Sequence, residues 1–125
     1  MIRITEVKFL GIRVIVLVLA AYWLAIFTGT HLPDPPDIGQ NVNDKVKHFG
    51  AYFGLTILLC LAVTFRCLKR RVIWVALIVA TYGALDELTQ QLVPGRYADV
   101  NDFIADLGGM TKGIIVYLLA RWIGK

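Results

Sequence analysis

Ionisable residues that hydrophobic segments usually exclude occur in three groups along this chain, each near one end of an apolar stretch. The groups are Asp44, Lys45 and His48 at the start of the second stretch, Asp86, Glu87 and Gln90 at the end of the third, and Arg96, Asp99, Asp102 and Asp106 before and within the start of the fourth. A charged side chain within a bilayer is costly, so residues of this kind indicate a functional site.

The types and spacing of these residues favour acid–base chemistry. Asp44, His48 and Tyr52 recur at every fourth position, which places them on one face of a helix. We expect Asp44 to orient His48 as a general base, and Asp86 or Glu87 to act as a general acid or second base. With Asp102, these side chains are the catalytic candidates.

The remaining polar residues are predicted to bind the substrate. Lys45 and Arg96 would hold an anionic headgroup, Arg96 through two donors at once. The other binding candidates are Tyr52, Gln90, Asp99 and Asp106.

We assign no cofactor and no metal ligands from the sequence, and a divalent ion is the one alternative. The acids favour a hard ion such as Mg²⁺ or Ca²⁺. Zinc is disfavoured because His48 is the one well-placed histidine, since His31 is expected in a solvated first loop. The chain contains no serine and no G-x-S-x-G motif, so a nucleophilic step would fall to a carboxylate, the histidine or water.

The composition predicts the elements that must position these residues. Hydrophobic residues make up 58% of the 125 residues, charged residues 18%, and the mean hydropathy is +0.67. Soluble domains are roughly 25% charged. We therefore predict one all-α domain over residues 1–125, an integral membrane four-helix bundle with spans at about 9–27, 46–65, 72–93 and 102–123.

The distribution of charge predicts the orientation. Basic residues occur at the N-terminus, in the loop at 66–71 and at the C-terminus, so both termini are expected to be cytoplasmic. The protein would be a multi-pass protein of the bacterial cytoplasmic (inner) membrane, with the polar site on the extracytoplasmic side. The first outer loop contains Pro33, Pro35 and Pro36, and it is expected to be extended and to cover the site. The net charge of +4 does not indicate a nucleic-acid partner, because the basic cluster suits lipid headgroups.

Two small-residue motifs predict close helix packing. Gly50 and Gly54 form a GxxxG pair on the second span, and Gly109 and Gly113 form another on the fourth. Such pairs let a neighbouring helix approach closely, either within the chain or in a homodimer through these faces.

Lys112 lies near the middle of the fourth span, too far from either end to reach water comfortably. We predict that it pairs with an intramembrane carboxylate, namely Asp106, Asp86 or Glu87.

Three ordered motifs resemble the VanZ-like family of small bacterial membrane proteins. They are Asp44-Lys45-x-x-His48-Phe49-x-Ala51-Tyr52, Tyr82-Gly83-x-x-Asp86-Glu87-x-x-Gln90 and Pro94-Gly95-Arg96-x-x-Asp99-x-x-Asp102. The resemblance covers residues 44 to about 109 and implies a four-helix membrane protein. Some members are associated with resistance to glycopeptide antibiotics of the teicoplanin type. The chain departs from the family pattern at Asp106, usually asparagine, and at Lys112, usually apolar.

Two classes of function remain after this reasoning. In the first, an outward-facing acidic site binds an anionic membrane lipid or a lipid-linked cell-wall precursor, and modifies it if the acid–base residues act. In the second, the chain is a non-catalytic module that binds lipid or antibiotic, or a structural network that locks four helices together. An ion path is disfavoured because Lys112 alone extends the polar residues inward.

Overall fold

Four apolar helices position the polar residues. The computed structural model describes residues 4–33 and 44–124. Within these ranges the helices are α1 (Val14–His31), α2 (Asp44–Ala62), α3 (Leu68–Gln90) and α4 (Val100–Ile123). Each is long and apolar enough to cross a membrane, which confirms the predicted all-α membrane bundle. The predicted proline cover falls mostly on residues 34–43, outside the described part of the chain.

A short hairpin precedes the first span and moves its start. After a 3-10 turn at Ile4–Glu6, strand β1 (Lys8–Phe9) pairs antiparallel with strand β2 (Ile12–Arg13). The turn between them contains Gly11 at a φ of 81°, a conformation that glycine adopts at no steric cost. The predicted start at residue 9 is therefore wrong, and α1 begins at Val14.

The first helix also ends later than residue 27. Threonine and glycine weaken the helical pattern after Phe27, but the first residue that stops a helix is Pro33. Leu32 is already extended, with a ψ of 138°, as the residue before a proline must be. His31 is consequently helical, and its predicted place in a solvated loop is wrong.

Helices α2 and α3 each begin and end a few residues earlier than predicted. Helix α4 begins two residues earlier and ends at the predicted residue. The start of α3 includes basic residues that the sequence placed in a loop. Arg71 is one of them, and its guanidinium donates to the carbonyl of Phe65, at 2.8 Å, and to the hydroxyl of Tyr117. These bonds tie the start of α3 to the segment after α2 and to α4.

Helix α2 contacts each of the other three helices and packs most extensively against α4. The glycine face of α4 makes this possible: a Cβ at Gly109 would collide with the backbone carbonyl of Phe49 and the amide of Phe53. A Cβ at Gly113 would meet the side chain of Thr56 at 2.9 Å. The predicted GxxxG contact of α4 is thus confirmed as a contact within the chain.

The GxxxG pair of α2 behaves differently at its two positions. A Cβ at Gly54 would collide with the ring of Tyr22 from α1, whose hydroxyl donates to the carbonyl of Ala51 at 3.0 Å. Nothing lies within 4 Å of a Cβ at Gly50. A homodimer through these faces stays a prediction, and Gly50 is the member of the two pairs that is open to it.

The interior is formed mainly by α2 and α3. Tyr52, Leu55, Leu59, Val75 and Val79 form its centre, with exposures of 4% or less. Large apolar side chains cover the outside of every helix, as a bilayer requires. Examples are Leu24, Leu77, Leu85, Ile104 and Leu119.

The connection from α3 to α4 is tied to the end of α1. It turns at Gly95, which has a φ of 82°. The Nε and Nη2 atoms of Arg96 then donate to the carbonyls of Leu32 and Gly29, at 3.0 and 3.2 Å. The last carbonyls of a helix have no partner within it, so this arginine supplies one from another element.

Asp99 caps the N-terminus of α4. Its Oδ1 accepts a bond from the backbone N–H of Asn101 at 2.8 Å. That N–H is the main cause that holds the pKa of the Asp99 carboxyl below its ordinary range, and Lys45, whose Nζ lies 3.4 Å from Oδ2, lowers the pKa further.

We expect Gly109→Ala to lower the free energy of unfolding by about 1–3 kcal/mol, because the added methyl group has no room against α2. Gly50→Ala is the matched control, a substitution of the same type on α2 at a position where a Cβ contacts nothing within 4 Å. It should leave stability unchanged or slightly higher, because alanine favours a helix over glycine. Denaturant unfolding in detergent micelles, followed by circular dichroism, measures both. Equal unfolding of the two variants would contradict the close approach at Gly109.

We expect Asp99→Asn to keep the cap but lose the charge, so that the wild type has the higher melting temperature near neutral pH. The folded-state pKa lies below the unfolded one, so this contribution is present above about pH 4 and disappears as the pH falls through the folded value. Thermal melts from about pH 6 down to pH 2 measure the difference. Asp99→Ala, which loses cap and charge, should stay below wild type throughout. A constant gap between wild type and Asp99→Asn argues against this assignment.

Candidate functional site

The polar residues meet at one end of the bundle, where α1 and α3 end and α2 and α4 begin. We call this the polar end. The predicted site residues that are buried there are His48, Tyr52, Asp86, Glu87, Gln90, Asp102 and Asp106. The predicted site residues that are half-buried or exposed are Asp44, Lys45, Arg96 and Asp99.

His48 lies among three carboxylates, and we call these four residues the histidine cluster. Its Nδ1 is 2.9 Å from Oδ1 of Asp106, in a hydrogen bond, and 3.7 Å from Oε1 of Glu87. Its Nε2 is 4.0 Å from Oδ2 of Asp102. The cluster therefore combines residues of α2, α3 and α4 around one imidazole ring.

The carboxylate that holds His48 comes from another helix. The expectation that Asp44 orients the ring is wrong, because the hydrogen bond is to Asp106. Asp44 is exposed and its Oδ1 lies 3.6 Å from Nζ of Lys47. Asp106 reaches His48 because it lies almost one helical turn before Gly109, where α4 approaches the backbone of α2.

Several buried polar atoms of this cluster have no hydrogen-bond partner among the described residues. They are Oε1 of Glu87, Oδ2 of Asp106, the nearby hydroxyl of Tyr52 and Oδ1 of Asp102, of which the last lies 3.5 Å from Nζ of Lys45 in an ion pair. The other Glu87 oxygen, Oε2, accepts from the backbone N–H of Asp99 at 3.0 Å, which fixes that side chain. Buried polar groups are nearly always hydrogen-bonded, so this concentration of unsatisfied atoms requires an explanation.

Lys45 connects the cluster to the surface. Its Nζ lies 3.4 Å from Oδ2 of Asp99 and 3.5 Å from Oδ1 of Asp102. The Lys45 side chain is 43% exposed, and that of Asp99 is 41% exposed. Lys45 therefore marks the mouth of the cluster, with one carboxylate on the surface and one leading inward.

Asp86 belongs to a separate network whose atoms are satisfied. Its Oδ1 accepts from Thr30 at 2.9 Å and from the Tyr82 hydroxyl at 3.3 Å, and its Oδ2 accepts from Nε2 of Gln90 at 3.0 Å. His31 lies 3.8 Å away. This arrangement joins α1 to α3, and it uses both oxygens of a carboxylate that the sequence offered for catalysis.

The sequence did not single out Thr30, His31 and Thr89 as members of this network. The His31 ring nitrogens lie 2.9 Å from the carbonyl of Phe27 and 2.9 Å from Oγ1 of Thr89. One feature of the sequence indicates that His31 belongs to α1, namely its spacing of four from Phe27, which places the two side chains on one helix face. Their rings stack with centroids 4.1 Å apart.

Gly83 makes room where the two networks approach each other. A Cβ there would lie 3.3 Å from both Oδ2 of Asp106 and the ring of Tyr52. The Tyr52 ring stacks on Tyr82 with centroids 5.9 Å apart, and Tyr82 meets the edge of Trp23 at 5.1 Å. An aromatic wall thus lines one side of the buried carboxylates.

Lys112 is outside the site. Its side chain is exposed, and among the described residues it forms no ion pair with Asp106, Asp86 or Glu87, so the predicted pairing is wrong. Six positions separate Lys112 from Asp106, and at about 100° per residue the two side chains point roughly 120° apart around α4.

Comparison with known proteins agrees with this architecture. A family model described as VanZ/LLP1 matches residues 11–121, which extends the resemblance seen in the three motifs to the first helix. No curated protein and no solved structure matches the chain. The chain belongs to the VanZ/LLP1 family and is a VanZ-like, multi-pass membrane protein of the cell envelope.

Proposed function

We propose that the polar end binds the phosphate-bearing headgroup of an anionic envelope lipid or of a lipid-linked cell-wall precursor. The unsatisfied buried oxygens of the histidine cluster carry this proposal, because they can accept hydrogen bonds from hydroxyl or ammonium groups of a headgroup, while the phosphate itself would lie at the mouth beside Lys45. A purely structural network would satisfy its own polar groups, as the neighbouring Asp86 network does. The contrast between the two networks supports a ligand, because unpaired buried oxygens are costly in a membrane interior.

Lys45 is the residue proposed to meet the headgroup first. It is half-exposed at the mouth, and its partners Asp99 and Asp102 lie 3.4 and 3.5 Å away. The Lys45–Asp99 pair is exposed, and exposed ion pairs contribute little to stability, so a phosphate can replace Asp99 beside the ammonium group at little cost. Arg96 contributes by holding the adjacent connection against the end of α1.

Modification of the bound headgroup is the second candidate. The hydrogen bond between His48 and Asp106 supports it, because a carboxylate-held imidazole can remove a proton from water. Water would attack a phosphoryl or acyl centre of the headgroup, the bond from that centre to its leaving oxygen would break, and the proton taken up by His48 would pass to the leaving oxygen. A binding module without chemistry would use the same residues, and the assay below separates the two.

We further propose that the polar end faces the outside of the bacterial inner membrane. The opposite end carries Arg66, Lys69 and Arg70, which cytoplasmic loops collect. Trp74 and Trp122 are 48% and 74% exposed near that end, as interfacial aromatic residues are.

The orientation predicts which cysteines react in intact cells. Cys67 is exposed at the basic end, whereas Tyr97 is 85% exposed at the polar end. A membrane-impermeant maleimide should label Tyr97→Cys, made in a Cys67→Ser background, and should label native Cys67 only after the cells are permeabilised. The reverse pattern would place the polar end in the cytoplasm.

The headgroup proposal predicts a loss of binding for Lys45→Gln. Nanodiscs of neutral lipid, doped with phosphatidylglycerol or with a lipid-linked wall precursor, allow retained lipid to be counted by native mass spectrometry. Losing one charge-assisted contact should weaken retention by roughly tenfold. Lys47→Gln is the control, because Lys47 is 62% exposed and pairs with Asp44 at the surface.

The same assay decides between binding and chemistry. Catalysis is supported if wild-type protein converts the lipid and His48→Ala binds it without converting it. A binding module without chemistry is supported if wild-type protein binds the lipid and does not convert it. We also propose a link to glycopeptide resistance, as the family resemblance implies. Teicoplanin is added to the precursor-loaded protein, and the link requires that the antibiotic either displaces the precursor or is retained with it; no change in either quantity would contradict the link. Wild-type protein that retains neither lipid above the neutral background overturns the headgroup proposal.

A further inference from the structure

We propose that His48, Glu87 and Asp106 form a binding site for a divalent transition-metal ion, with Zn²⁺ and Mn²⁺ as the best fits. Each residue offers one ligand atom, and the three atoms lie within 4.8 Å of one another. Ligands bound to one such ion at about 2.0–2.2 Å are at most about 4.4 Å apart. Only a small contraction of the cluster is needed.

A second observation points to a ligand at the same place. Oε1 of Glu87 and Oδ2 of Asp106 have no hydrogen-bond partner among the described residues, although Glu87 is 6% and Asp106 1% exposed. Oxygens this deeply buried need either a donor or a cation. The nearest side-chain nitrogen of the cluster, Nδ1 of His48, bonds to the other oxygen of Asp106 and lies 3.7 Å from Glu87.

The charge balance of the cluster also favours a cation. Three carboxylates surround one imidazole, and Lys45 reaches the outermost of them, Asp102. A divalent ion neutralises two carboxylates at once and becomes the largest local charge. An acidic cluster by itself repels a phosphate, whereas a cluster that holds a metal ion attracts one.

Asp102 would support the ion without touching it. When Nδ1 of His48 coordinates the metal, the proton is on Nε2, which lies 4.0 Å from Oδ2 of Asp102. A histidine ligand commonly donates its second ring N–H to a carboxylate, which orients the ring. Asp102 is therefore a positioning residue in this proposal.

The buried set is preferred over an overlapping set at the surface. Asp44, His48 and Asp102 also bring ligand atoms within 4.8 Å of one another. Asp44, however, is exposed beside Lys47, and Asp102 lies beside Lys45, so both carboxylates already have cations near them. The central imidazole also changes the choice of ion from the Mg²⁺ or Ca²⁺ that acids alone suggest, since nitrogen ligands suit Zn²⁺ and other transition metals.

The role of the ion, attracting a lipid phosphate to the cluster, rests on the proposed binding function. A metal-bound His48 has no nitrogen free to act as a general base, so the ion belongs with headgroup binding and not with the modification candidate. Binding of the ion itself does not depend on the proposed function. The test therefore contains no anionic lipid. Full-length protein in neutral detergent is stripped with EDTA and reloaded with Zn²⁺, Mn²⁺ or Mg²⁺ alone. Metal content is measured by mass spectrometry and Mn²⁺ affinity by electron paramagnetic resonance, with circular dichroism to check folding.

Wild type is expected to hold about one Zn²⁺ or Mn²⁺ per chain and to bind Mg²⁺ much more weakly. The near-isosteric variants Glu87→Gln and Asp106→Asn should each weaken Mn²⁺ binding by more than about 100-fold, and Asp102→Asn by about tenfold. Asp44→Asn, the matched control, should bind as wild type does.

Two results would overturn the metal site. One is wild-type protein that takes up neither ion stoichiometrically, a measurement that depends on no variant. The other is loss of the ion in Asp44→Asn with retention in Glu87→Gln, which assigns it to the surface set. Metal binding without retention of anionic lipid would instead overturn the headgroup proposal alone.

Discussion

The contact between α4 and α2 at Gly109 determines the geometry of the polar end. Without side chains between them, the two backbones come close enough for a residue almost one turn earlier, Asp106, to reach His48. A larger residue at Gly109 would move the carboxylate away from the imidazole. The close packing of α2 against α4 and the position of Asp106 beside His48 thus both depend on a glycine at position 109.

Two polar networks in one small bundle show two different uses of buried carboxylates. Asp86 accepts from three side chains and joins α1 to α3, so it acts as a structural connector. Glu87, the next residue, points into the histidine cluster and keeps one oxygen without a donor among the described residues. Successive helical residues point about 100° apart, so the consecutive residues Asp86 and Glu87 of α3 reach different networks.

Periodicity in the sequence predicts which residues share a face of a helix. Asp44, His48 and Tyr52 are on one face of α2 by their spacing of four, and His48 and Tyr52 are buried whereas Asp44 is exposed. Spacing along one helix does not reveal which neighbour lies nearer across an interface, so Asp44 was chosen in place of Asp106. The end of α1 was missed for a related reason: Thr30 and His31 interrupt an apolar run, but their helical partners are on α3. The charge of Lys112 predicts a carboxylate partner, but the side chain points away from Asp106 around α4 and is exposed.

Arginines at both ends of the bundle donate to carbonyls where helices finish. Arg13 donates to Ala62 at the end of α2, Arg71 to Phe65 just beyond it, and Arg96 to Gly29 and Leu32 at the end of α1. Water is scarce for such carbonyls close to a bilayer, and an arginine from a different segment serves instead. Arg13 and Arg71 also lie at the starts of membrane spans, where positive charges commonly influence topology. A substitution made to change topology at either position would therefore also remove a donor from a carbonyl at or just beyond the end of α2.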